Sequence, residues 1–360
     1  MVKLLTKEDI KRILQSRFEN DECTRLNEIP KPSSLKDIGR ASKRIADAMR
    51  NHERIAIVGD YDVDGVISSV ILSQFFDDLG VDYSLIIPNR FTDGYGLNPD
   101  IVAKLDVHVI ITVDNGISAI EAAQICKEQG IDLIITDHHS VPAVLPEAYA
   151  IVNPKQEDCA FPHCEICGAQ VAWYLVAALK EELGVEYDLS SFLDLLCIAI
   201  MADMMELVGM NRVMVKKGIG ELNRSKRAAF EAIRQYFGKA TLEGDDISFL
   251  IAPLINSSGR MEDAIFSYEF LKSKDVNDAL VKASAKTAAV LRERADALRH
   301  DMERFTIEEA ARQSESVGWF FDAPKDANKT AVAPVTPRYP SGSSATPLQP
   351  HARANEFEQF

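Results

Sequence analysis

A chain of 360 residues has room for two domains, or for one large α/β domain with an appendage. Its 46% apolar and 26% charged residues match an ordinary soluble globular protein. No run reaches the ~20 apolar residues that span a bilayer, and Met1–Lys7 lacks a signal-peptide core, so no membrane association and a cytoplasmic location are expected. A net charge of −15 argues against a broad basic surface for duplex DNA, though acids clustered around bound cations would supply part of that charge.

In chain order, the first fifty residues read as helices. One amphipathic stretch opens at Lys7-Glu8-Asp9-Ile10, and Ser34-Leu35-Lys36-Asp37 caps another that runs to about Arg50. From Arg54 short apolar runs alternate with helical patterns. The runs are Arg54–Val58, Tyr83–Ile87, Val107–Val113, Asp132–Thr136 and Ala148–Val152, with helices such as Val66–Leu79 and Ser118–Gln129 between them. Strands alternating with helices predict an α/β fold with an open, mostly parallel sheet, and their continuous Ile/Val character predicts helices on both faces. Helices follow from Gly168 to about Phe237, broken near Gly184 and Gly209. A loop is expected over Leu250–Arg260, then a long charged connector helix over Asp275–Gln313. Residues 317–360 hold six of the fifteen prolines with many Ser, Ala and Thr, and are expected to be disordered. The domain reading is an N-terminal helical segment over 1–50, the α/β domain over 51–240, a loop and connector over 241–316, and a tail over 317–360.

Six cysteines (23, 126, 159, 164, 167 and 197) show no disulfide framework and are expected to be reduced. Cys164 and Cys167 form one CxxC near Cys159 and His163. A second pair at zinc spacing is missing, so a polar loop entering the helix at Gly168 is the preferred reading.

Acids and imidazoles cluster immediately after apolar runs. Val58-Gly59 leads into Asp60-Tyr61-Asp62-Val63-Asp64-Gly65; Val113 into Asp114-Asn115-Gly116; Thr136 into Asp137-His138-His139; and the apolar helix ending Met201-Ala202 into Asp203. In an open parallel sheet, loops at the carboxyl ends of the strands converge, so these residues imply one shared site. Such charges cannot sit together unpaired, since repulsion and desolvation would each cost several kcal/mol. Carboxylates with a few imidazoles and no thiolate suit Mn²⁺ or Mg²⁺. The number of ligands exceeds what one substrate-binding ion needs and points to two ions, roughly 3.5–4 Å apart. Asp114, alone on the central strand, is the expected bridge between them.

Each motif has a rival. Asp60-x-Asp62-x-Asp64-Gly65 copies the opening of an EF-hand loop, but position twelve is Ile71 where a bidentate Glu is required, and a strand precedes it. An Asp-x-Asp phosphatase motif leaves Asp137-His138-His139 unexplained. Any one Asp between strand and helix could be an N-cap. The combination in order is the specific signal.

That combination resembles the DHH phosphoesterases, and finer features resemble their RecJ branch. These are Val58–Val66, Asn89-Arg90-Phe91 leading to Asp93–Leu97, Val113–Ile117, Val152–Gln156, and Ile255-Asn256 through Gly259-Arg260-Met261, within a similarity spanning about residues 35–313. The resemblance implies metal ligands at Asp60, Asp62, Asp64, Asp114, His138 and Asp203, and leaves open which of the three early acids bind directly. It further implies that Asp137 orients a neighbour, that His139 faces the phosphate, and that Asn256 and Arg260 belong to a phosphate-holding loop, where Ser257-Ser258 replace a frequent Ala-Gly run. The implied reaction is metal-dependent hydrolysis of single-stranded DNA from the 5′ end to 5′ mononucleotides in repair and recombination. Single-strand-binding protein or a helicase are candidate partners. The family's second lobe and oligonucleotide-binding barrel are not visible, so the chain reads as a truncated or frame-shifted product. The alternatives are a phosphoesterase of short oligonucleotides or cyclic dinucleotides, and an inactive fragment or scaffold.

Overall fold

The computed structural model describes residues 5–16, 23–261 and 264–286, apart from the side chains of 258–261. Five parallel strands, β1 (Ile55–Val58), β2 (Ser84–Ile86), β3 (Val109–Val113), β4 (Asp132–Thr136) and β5 (Ala150–Val152), pair in the order β2-β1-β3-β4-β5. The register is continuous: Val58 lies opposite Thr112, and Val113 opposite Thr136. Strand order reverses between β1 and β3, so the loops after these strands leave toward opposite sides and a crevice opens between them.

In chain order the helices are α1 (Lys7–Ser16), α2 (Ile38–Arg50), α3 (Val63–Asp78), α4 (Pro99–Ala103), α5 (Ile120–Gln129), α6 (Gly168–Leu183), α7 (Leu193–Ala202), α8 (Gly209–Arg224) and α9 (Ala228–Phe237). A short turn at Gly244–Asp246 and a π-helical turn at Ile247–Ile251 lead into α10 (Ala252–Met261), followed by α11 (Ile265–Leu271). Residues 276–286 are helical, which is the described part of the predicted connector. The rest of the connector and the tail lie outside the described residues.

The alternating side chains of β1 explain the layers. Ile55 and Ile57 join one core with α2, α3 and α6, while Ala56 and Val58 join a second with α4 and α5. Helix α3 is buried nearly all round, which fits its position as a core element packed against both α6 and α7. Fully burying each of its large side chains, such as Phe75 and Phe76, contributes roughly 1.5–3 kcal/mol.

The expected strands are all present, and four of them begin a residue or two later than the apolar runs. Polar pairing at their starts is one reason: the backbone N–H of Arg54 donates to His108 Nδ1 at 3.0 Å instead of extending β1. Two expectations need correction. Asp37 stands at the N-cap of α2 with φ of 59°, but its carboxylate does not bond the helix; it accepts instead from Ile151 N at 3.4 Å, tying α2 to β5. The loop expected over Leu250–Arg260 is helical. Its Ser257 hydroxyl donates back to Leu254 O at 2.8 Å, while Leu254 and Ile255 are buried in the core, so packing overrides a weak helix-forming sequence.

Candidate metal centre

The three early acids have different local duties. Asp60 ends the β1 segment, is buried, and accepts from Tyr61 N at 2.8 Å. Asp62 caps α3, accepting from Gly65 N at 3.0 Å. Asp64 lies in the first turn of α3 and accepts from Gly168 N (2.5 Å) and Ala169 N (2.9 Å) at the start of α6. Two helix N-termini thus face these carboxylates, which favours their charge.

Asp114 follows β3 with φ of 64°, a left-handed conformation that Asp tolerates better than most residues. Its side chain is 1% exposed, and among the described residues neither carboxylate oxygen has a hydrogen-bond partner. The neighbouring Asn115 holds the strand ends together. Its Nδ2 donates to Val58 O (3.0 Å) and Val113 O (2.9 Å), and its Oδ1 accepts from Leu97 N (3.0 Å).

After β4, Asp137 is saturated. One oxygen accepts from His138 N (2.7 Å), His139 N (3.0 Å) and His139 Nδ1 (2.7 Å), and the other from Ile117 N (2.9 Å). It therefore orients the two histidines. His138 Nε2 lies 3.2 Å from Asp114 Oδ1, 3.6 Å from Asp203 Oδ2 and 3.7 Å from Asp64 Oδ2. Its Nδ1 and the Oδ2 of Asp203 also lack hydrogen-bond partners. His139 is half-exposed, edge-on to Tyr95, beside a cavity of about 410 Å³ lined by Tyr95, Leu97, Ile117, Asp137 and His139 among others.

Three overlapping groups result: Asp60 with Asp62 and Asp114; Asp64 with His138 and Asp203; and Asp114 with both histidines. Within each, ligand atoms lie within 4.8 Å of one another. Asp114 is shared by the first and third, and His138 by the second and third. The structure thus brings together Asp60, Asp62, Asp64, Asp114, His138, His139 and Asp203, with Asp137 behind them.

Burial is the first cause of the upward shifts among these acids. Burial, then Asp62, raises Asp60 to about 7; burial, then Asp62, raises Asp203 to about 6. Burial, then Asp64, pushes Asp114 well above the usual carboxylate range. Burial also pushes Asp64 up, against the opposing charge of His138, and holds His138 below an ordinary histidine. Asp137 goes the other way: burial pushes it up, but the hydrogen bonds and charge of His139 outweigh that and hold it low. Buried acceptors without donors, on carboxylates and imidazole, fit hard divalent cations.

Asn256 is half-buried on α10, and the side chain of Arg260 lies outside the described residues, so no phosphate-holding geometry is seen for the pair. Cys164 is exposed and Cys167 buried at the N-cap of α6. Among the described residues no disulfide joins the cysteines, and no metal-ligating group includes one. The bracing role of Asn115 does not follow from sequence. The one hint is a polar residue locked between Asp114 and Gly116 at a strand end.

Comparison with known proteins places this geometry. The DHH family, N-terminal domain, matches residues 54–200. The single-stranded-DNA-specific exonuclease RecJ of Bacillus subtilis (strain 168) is 36% identical over 253 residues, covering 69% of this chain and 32% of that protein. RecJ of Dickeya dadantii (strain 3937) is 33% identical over 267 residues, covering 69% of this chain and 46% of that one. The chain spans less than half the length of these curated relatives. A crystal structure of exonuclease RecJ bound to manganese matches with a TM-score of 0.68 and 28% identity, covering 76% of this chain and 70% of that one. RecJ from Thermus thermophilus in complex with Mn²⁺ matches with a TM-score of 0.65 and 28% identity, covering 77% of this chain and 40% of that one. Sequence and acid cluster agree: residues 54–200 match the DHH family's N-terminal domain, and the chain is similar to RecJ exonucleases over 69% of its length.

Proposed function

We propose that the chain is a metal-dependent phosphodiester hydrolase that degrades single-stranded DNA from the 5′ end, releasing 5′ mononucleotides. The observation that carries this is Asp114, a fully buried carboxylate with two unpartnered oxygens, shared by two ligand groups and flanked by unpartnered atoms of His138 and Asp203. Two Mn²⁺ or Mg²⁺ ions are the occupants that this donor set favours, as in the manganese-bound relatives. Asp60, Asp62, Asp64, Asp114, His138 and Asp203 are the residues that would hold them, Asp114 being common to two of the three ligand groups.

Divalent cations at such a site supply Lewis-acid stabilisation of phosphoryl oxygens and lower the pKa of an attacking water. The residues of the chain do the rest. Asp137 fixes His139 through Nδ1, and the imidazole, raised above its usual value chiefly by that bond, presents positive charge toward a phosphate. Tyr95 and the adjoining cavity border the same place. Asn256 and Arg260 are proposed to hold a substrate phosphate from the segment after α9.

The domain assignment follows the same reading: residues 51–240 form the phosphoesterase domain, preceded by a helical segment over 1–50 and followed by the phosphate-contacting segment and connector over 241–316 and a tail over 317–360. Single-stranded DNA is the proposed partner, with single-strand-binding protein or a helicase as candidate associates in repair and recombination. No described helix is long and apolar enough to cross a membrane, and a cytoplasmic location is proposed.

The test offers the protein, with Mn²⁺, 5′-phosphorylated single strands, duplex, dinucleotides, cyclic dinucleotides and pyrophosphate, beside an Asp114→Asn control. Mononucleotide release from single strands, absent in the control, is expected. Cleavage confined to the small substrates, or none at all with metal bound, overturns the exonuclease reading.

A further inference from the structure

We infer that Asn211 is a positioning residue that sets where Asp203 stands relative to Asp64, although it touches neither. The inference rests on the metal-binding reading above. Asp203 is the C-cap of α7, and among the described residues its Oδ2 has no hydrogen-bond partner. In the loop that follows, Met205 packs partly buried against the core while most of its neighbours face solvent. Met204 is 88% exposed with φ of 55°, and Glu206, Leu207 and Val208 are exposed too. Beyond the last bonds to the end of α7, Met204 N to Met201 O and Met205 N to Ile200 O, its internal bond is Val208 N to Glu206 O.

One side chain of α8 reaches this loop from outside. Asn211 is 3% exposed and all its polar capacity is directed at the site's scaffold. Its Nδ2 donates to Glu206 O at 3.1 Å, in the Asp203 loop, and to Glu165 O at 2.9 Å, in the segment leading to α6. Its Oδ1 accepts from Gln170 Nε2 at 2.9 Å. Gln170, fully buried in the first turn of α6, in turn accepts from Cys167 N at 3.0 Å. The next two amides of that turn, Gly168 N and Ala169 N, are those that hold Asp64.

A single amide therefore fastens the Asp203 loop to the turn that grips Asp64. These two acids meet at one point, since both lie within 3.7 Å of His138 Nε2 and form one ligand group with it. Without the brace the Asp203 loop is free to drift from α6, and this group opens. The group of Asp60, Asp62 and Asp114 depends on β1 and β3 and is left in place. Partners that orient metal ligands typically alter affinity by about 10–100-fold when removed.

The experiment is a calorimetric titration of Mn²⁺ into the metal-free full chain, with a thermal melt of each protein. Asn211→Asp keeps the size but replaces both donors with an acceptor, and Gln170→Met keeps Asn211 while cutting its link to α6. Leu222→Ala, in the core on the same helix, is the control for mere destabilisation. Two Mn²⁺ are expected on the wild type. One site should weaken about 10–100-fold in Asn211→Asp and by less in Gln170→Met, the other holding, while Leu222→Ala melts lower yet binds both normally. If the wild type binds two ions and both brace variants bind as it does, or if Leu222→Ala weakens the same site equally, the inference fails alone. If the wild type binds no Mn²⁺, the metal reading falls and the inference with it. Should Asn211→Asp fail to fold, Gln170→Met decides by the same criteria.

Discussion

A methyl group on Gly168 would lie 2.2 Å from Oδ1 of Asp114 and 2.6 Å from its Cβ and Cγ. The first residue of α6 is thus packed directly on the carboxylate at the middle of the ligand groups, and only hydrogen fits between them. Gly168→Ala is expected to push Asp114 aside at an overpacking cost of about 1–3 kcal/mol. A melt should show a folded protein, and a Mn²⁺ titration should show binding weakened at least about tenfold. Binding equal to wild type would mean that Asp114 is not needed where it stands.

Asp114→Asn is the informative substitution at that position, because Asn shares the tolerance of Asp for a φ of 64°, whereas Ala would add backbone strain. It removes an acid whose ionisation burial and the neighbouring carboxylates oppose. The metal-free variant should therefore melt higher than the metal-free wild type, by ~2–4 °C for each kcal/mol of repulsion relieved. It should also lose the stabilisation by Mn²⁺ that the wild type shows. Differential scanning calorimetry with and without Mn²⁺ measures both.

Stability should depend on pH in a direction set by the raised carboxyls. Asp60 and Asp203, at about 7 and 6, bind protons more tightly folded than unfolded, where the value is near 3.8. Their contribution is complete below the unfolded value and is lost as pH rises through 6 to 7. Metal-free protein is expected to melt lower at about pH 8 than at about pH 5.5, with a smaller difference in Asp60→Asn. Mn²⁺, which competes with those protons, should raise the melting temperature more at the higher pH than at the lower. The opposite order in either comparison would contradict the cluster's electrostatics.

Far from the site, Arg227 is the ionic partner of the buried Asp194, with Nε 3.0 Å from Oδ2, and it also reaches Gln74 Oε1 at 2.7 Å. It joins the end of α3 to the start of α7, the helices whose other ends carry Asp64 and Asp203. Arg227→Ala leaves a buried charge without its cation and should cost ~3–5 kcal/mol. Adding Asp194→Ala should recover part of that loss, which a denaturant-melt double-mutant cycle would read. A double variant as unstable as the sum of the singles would show that the pair is not coupled.

Much of this architecture was legible because the strands are buried on both faces and so appear as unbroken Ile/Val runs, with the acids placed where those runs stop. What failed to show was geometry carried by single polar residues. Little in the sequence marks Asn115, and nothing marks Asn211, as a brace, since partners such as Val58 O and Glu165 O are backbone groups far along the chain. Nor could spacing assign separate duties to Asp60, Asp62 and Asp64, which bond Tyr61 N, Gly65 N and the amides of α6 respectively. The segment Ser257-Ser258-Gly259 suggested a loop through its composition, and the burial of Leu254, Ile255 and Ser257 against neighbouring helices was invisible.

The sheet also works as a ruler. Strands β1, β3 and β4 are consecutive rungs, so the loops bearing Asp60, Asp114 and Asp137-His138 are stepped across the molecule at the inter-strand distance of roughly 4.8 Å. That step is fixed by peptide hydrogen bonds, whatever side chains the strands carry. Exchanging the acids can empty or refill the crevice, but its pitch is built into the backbone.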